Sequence, residues 1–128
     1  PMIVGIGIQI VALALLLYAP PMLAPFDFFL CFAFGFGNSA HMLAFSTAAD
    51  VVEPRYIGTS AAIVNGLMFI VGGLMISRPG LRGGLALETG IAPGTQDMAQ
   101  FAGRPLLAGL VIALVIALLM RETYPSAR

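Results

Sequence analysis

Asn38 and His41 stand three residues apart in an otherwise apolar stretch, so on a helix they project from one face, with Phe34 and Phe45 continuing that stripe on either side. An amide beside an imidazole, bracketed by aromatic rings, can bind a small polar solute, and the imidazole is the one group there whose charge changes near neutral pH. Gln9 and Asn65 sit near the middle of two further apolar stretches. Each such group is costly in hydrocarbon unless it faces protein, water or a ligand. Two readings stand side by side. In one, Asn38, His41 and Asn65 line a cavity and His41 couples a proton; in the other, the amides hydrogen-bond between helices and a neutral His41 bonds a backbone carbonyl. Ser39, Ser46 and Thr47 carry no functional assignment, since hydroxyls in such helices usually bond a carbonyl one turn earlier.

The elements that must hold these residues follow from length. A bilayer core about 30 Å thick takes about 20 apolar residues of helix at about 1.5 Å each. Four stretches meet that measure: about 2–19, 25–49, 56–77 and 95–120. Pro20 and Pro21 end the first, because neither donates to the preceding turn. Asp27 falls near the start of the second, where a carboxylate complements the helix dipole as a cap. Pro105 is expected to kink or start the fourth. The expected fold is therefore an all-α membrane protein, one transmembrane region over residues 1–128 with four helices in up-down order. Backbone groups in lipid must be satisfied within each segment.

Composition agrees. Of 128 residues, 59% are hydrophobic and 9% charged, with zero net charge, and the mean hydropathy of +0.99 leaves no polar shell for a soluble domain. The basic residues are single, scattered Arg, with no run to neutralise a phosphate backbone, so nucleic acid is not an expected partner. Cys31 is the one cysteine and His41 the one histidine, which leaves no disulfide within the chain and no metal site. Without a Ser/His/Asp set or an acid pair at depth, neither an enzyme nor a cofactor is expected. Arg55, Arg121 and Arg128 fall on one side and Arg78, Arg82 and Arg104 on the other, so the charge bias does not orient the chain. The chain opens at Pro1 rather than Met, and a piece of a longer protein is expected.

Glycines and the short loops complete the pattern. Gly58, Ala62 and Gly66 recur every four residues, a face that lets another backbone approach. Gly35 and Gly37 either do the same or permit a bend beside Asn38. In the loop after the second stretch, Pro54 opens a helix and Glu53 sits at its positive end. Asp50 and Arg55 are near enough to pair, as an exposed capped loop or as a gate latch formed by Asp50, Glu53 and Arg55. A long Gly/Pro-rich connection is expected from Arg78 to about Gly94.

The stretch Gly35 to Gly73 resembles the tenth helix, cytoplasmic loop and eleventh helix of a major facilitator superfamily transporter. The residues that carry it are an acid and proline (Glu53, Pro54), a Gly-Thr-Ser-Ala opening (Gly58 to Ala61), an internal Asn65-Gly66 and the pair Gly72-Gly73. Ile57 stands where many relatives place Arg. Leu118 to Tyr124 resembles the exit from the twelfth helix. The resemblance covers nearly the whole chain, as helices nine to twelve. It implies part of a secondary active transporter in a bacterial inner membrane, both ends cytoplasmic. Its partners would be the lipid bilayer, the remaining helices of the parent transporter and a small-molecule substrate held midway through the membrane. A complete small four-helix exporter of the multidrug type and a non-transporting membrane subunit are the alternatives; the exporter would need an embedded glutamate where this chain has Gln9.

Overall fold

The computed structural model describes residues 2–20 and 23–120. Helix α1 runs Met2–Tyr18 and α2 Ala24–Asn38; a 3-10 turn, Ser39–His41, joins α2 to α3, Met42–Asp50. A second 3-10 turn, Pro54–Tyr56, leads into α4, Ile57–Glu88, and α5 spans Gln96–Leu119. No strand occurs among the described residues. Because α2 and α3 continue one another, the described residues form four helical rods. The first, α1, lies against α2 and α5; α5 lies against α4; and α4 meets α3, which closes a ring.

Three rods are long and apolar enough to cross a membrane: Ala24–Asp50 (27 residues), Pro54–Glu88 (35 residues) and Gln96–Leu119 (24 residues). The remaining rod, Met2–Tyr18, is apolar but 17 residues long. Few side chains are buried inside the ring, chiefly Ala12, Leu17, Leu30, Ala86 and Ala117, whereas Phe28, Ile76 and Leu119 face outward at 77%, 80% and 80% exposure. Apolar residues all round a helix are the mark of an element whose surroundings are themselves apolar.

The rods touch where glycine removes the side chain. A Cβ on Gly37 would stand 2.7 Å from the Gly5 carbonyl oxygen and 2.8 Å from Gln9 Cγ, and one on Gly103 would meet Leu17 Cδ2 at 2.8 Å. Gly37 therefore serves as a packing glycine, while the 3-10 turn after it supplies the local change of helix geometry. The stripe Gly58, Ala62, Gly66 differs from expectation: nothing lies within 4 Å of a Cβ at Gly58 or Gly66, so within this ring that face is open.

Three further expectations are corrected. The connection from Arg78 to Gly94 is largely helix, since α4 continues to Glu88 with Pro79 inside it. One proline removes one hydrogen bond, and the following turns are held by buried Gly83 and Ala86, Gly83 lying beside Met98 of α5. The real stop is Gly90 (φ +84), with Gly90 N–H donating to the Leu87 carbonyl and Ile91 N–H to the Ala86 carbonyl, a Schellman ending. Asp27 lies in the first turn of α2 but makes no cap: Leu23 is the N-cap, without a side-chain bond. Pro105 does not start α5 but lies inside it; the helix opens at N-cap Thr95, whose hydroxyl accepts from the Met98 N–H. Expectations on Pro1, Pro21, Arg121, Glu122, Thr123, Tyr124 and Arg128 lie outside the described residues.

Candidate functional site

The closest approach of α1 and α2 puts a polar group at its centre. Gln9 is 8% exposed, the buried polar residue of the core. Its Nε2 donates to Asn38 Oδ1 at 3.3 Å. Gly5 and Gly37 bring the two backbones near enough for that bond, which is why an amide pair can sit where two larger side chains could not.

One turn on, the helix tightens into the 3-10 turn Ser39–His41. Its backbone is right-handed helical throughout, so the rod changes pitch without breaking. His41 Nδ1–H donates to the Asn38 carbonyl oxygen. A carbonyl can only accept, so Nδ1 carries the proton in that bond and Nε2 is left free of it. Ser39 Oγ donates to the Phe36 carbonyl at 2.7 Å and Thr47 Oγ1 to the Leu43 carbonyl at 2.9 Å, each spent on its own helix. Asn38 itself remains exposed apart from its Gln9 contact, and His41 is half-buried.

Asn65 is not brought to this pair. It lies exposed on α4, which packs against α3 and α5. An apolar cleft of about 420 Å³ lies beside Gly5 and Gly37, lined by Ile8, Phe36, Ser39 and Met42 among others, but not by Asn38 or His41. The loop residues also part company. Arg55 Nε lies 2.8 Å from Glu53 Oε2, and the guanidinium stands 4.6 Å from the centroid of the Tyr56 ring. Arg55 is thus paired with Glu53 and not with Asp50, which is exposed at the end of α3. Proximity in sequence placed Asp50 within reach, but the extended backbone at Glu53 turns its own carboxylate toward Arg55 instead.

Sequence reasoning missed a set of ties that join neighbouring rods. The carbonyls of Leu17 and Ala19 lie at the end of α1, where helical donors run out, and Pro105 has no N–H, so the carbonyl of Phe101 within α5 loses its helical donor. All are met from another helix. Gln96 Nε2 donates to Ala19 O at 2.6 Å and Leu17 O at 3.3 Å, and Arg82 Nε donates to Phe101 O at 2.8 Å. For Phe101 the sequence signal was available: a proline in an apolar helix marks a carbonyl four residues earlier that needs a donor. Ser60 Oγ, donating to the Ala48 carbonyl at 3.1 Å, does similar work between α4 and α3.

No group of three or more His, Cys, Asp or Glu side chains able to hold a metal occurs among the described residues. Neither family models, curated proteins nor solved structures give a match to this chain.

Proposed function

We propose that this chain is part of a secondary active transporter, corresponding to helices nine to twelve of a major facilitator superfamily member, that moves a small solute by alternating access. The observation that carries the reading is the 3-10 turn Ser39–His41, which interrupts the Ala24–Asp50 rod at the two residues, Asn38 and His41, singled out by their chemistry. A 3-10 stretch within a long helix often marks a hinge. Transporters place irregular helix beside the substrate near the middle of the bilayer. In this reading α1 is the fourth crossing and the rods alternate up and down. Asn38 and His41 Nε2 offer hydrogen bonds to the solute, Asn65 lines the cavity from α4, and the Asp50, Glu53 and Arg55 loop latches the cytoplasmic gate. The open small-residue face of α4 and its exposed Asn65 suit contact with the other helices of a parent transporter or with cavity water.

Uptake by the reconstituted parent protein tests this. Asn38→Ala and His41→Ala should each reduce uptake or substrate affinity; unchanged uptake in both variants would overturn the site. A second reading, a non-transporting membrane subunit, is favoured by the Gln9–Asn38 bond, which by itself is ordinary interhelical adhesion.

A further inference from the structure

At one end of the ring, an open cleft of about 830 Å³ runs along α4 where Pro105 of α5 meets it, lined by Met75, Arg78, Arg82, Leu85 and Glu88 among others. From Ile57 to Ser77, α4 carries no charged side chain. At about 1.5 Å per residue that run is about one hydrocarbon thickness. The helix then continues to Glu88, so when it crosses a bilayer Arg78 and Arg82 enter the headgroup layer while Met75 stays at the hydrocarbon edge. The two Arg are four residues apart and share a face.

Arg82 is held ready. Its Nε donates to the Phe101 carbonyl that Pro105 leaves free, and its guanidinium stands 4.4 Å from the Phe101 ring centroid. Those contacts use one of five N–H donors and orient the rest, which are the ones that grip a phosphate in a bidentate fork. Arg78 is exposed beside it. A Cβ at Gly80 or Gly84, which also line the cleft, would meet nothing within 4 Å, so a ligand can approach the helix backbone there. Glu88, the acid of the cleft, lies further from the hydrocarbon edge, and the ion pair among the described residues is Arg55–Glu53 elsewhere. Two guanidinium groups against one carboxylate leave the cleft cationic.

From this juxtaposition we infer that the α4–α5 cleft binds the phosphate of an anionic phospholipid, with Arg78 and Arg82 on the headgroup and Met75 along the start of the acyl chains. A lipid phosphate fits better than a soluble anion because the donors sit at headgroup level directly above an apolar wall.

The test uses the full chain in nanodiscs of phosphatidylcholine with a minor fraction of phosphatidylglycerol, with lipid retention read by native mass spectrometry. Wild type should retain phosphatidylglycerol selectively. Arg78→Gln should weaken retention about tenfold, the worth of a charge-assisted hydrogen bond. Arg78→Lys should restore part of it. Gly84→Leu, which fills the cleft without altering charge, should also weaken it, while Arg104→Gln, exposed nearby but outside the cleft, should not. Wild-type retention by both Arg78→Gln and Gly84→Leu would overturn the site. So would an equal loss in Arg104→Gln, which would indicate diffuse attraction, or thermal protection by inorganic phosphate in neutral nanodiscs equal to that by phosphatidylglycerol.

Discussion

Gly37 and Gly66 are the same residue type in opposite circumstances. A methyl on Gly37 would collide with the Gly5 carbonyl and Gln9, backbone and buried side chain alike, whereas one on Gly66 meets open space. Gly37→Ala should therefore destabilise the chain by about 1–3 kcal/mol through overpacking. Gly66→Ala should be neutral or stabilising by up to about 1 kcal/mol through helix propensity. Denaturant unfolding in detergent, followed by circular dichroism, compares them. At this scale the sequence was partly legible. Asn38 and His41 read as one face of a helix, and a bend beside them was one of two options at Gly35 and Gly37; the 3-10 turn Ser39–His41 itself carries no sequence mark. What the spacing could not supply was the partner: that Gln9 reaches Asn38, or that Arg55 takes Glu53 over Asp50, depends on which backbones approach and how one loop residue is turned.

Side-chain donors to open backbone carbonyls explain how the rods are joined. Leu17 exposes a carbonyl at the end of α1 and Phe101 one that Pro105 leaves without a donor, and Gln96 and Arg82 supply the missing donors from another helix. Gln96→Ala leaves carbonyls at the end of α1 without that donor. The expected loss is about 1–3 kcal/mol, the cost of an unmade buried hydrogen bond, in the same unfolding assay. Arg82→Lys keeps the charge but loses the planar fork over Phe101, so it should restore less stability than the conservative exchange suggests. Helix existence and type were readable from apolar length alone, as the three long rods show. The extent of α4 was not, because Pro79 and the glycines after it read as a loop. Packing of Gly83 and Ala86 on α5 overrides those local preferences, and the stop is deferred to Gly90, where a left-handed backbone ends the helix.

Across the whole molecule, the surface is apolar where a soluble domain would be charged, and the few polar groups inside the long rods carry the functional reading. The central claim is that Asn65 and His41 face a water-filled cavity of a transporter rather than acyl chains. It is tested most directly by thiol labelling in intact membranes. With Cys31→Ser as background, Asn65→Cys, His41→Cys and the outward-facing control Ile76→Cys are exposed to a membrane-impermeant, water-soluble maleimide. The account predicts labelling at positions 41 and 65, slowed by transported solute, and none at position 76. Equal protection of all three positions, or labelling at 41 and 65 that no candidate solute alters, would contradict it.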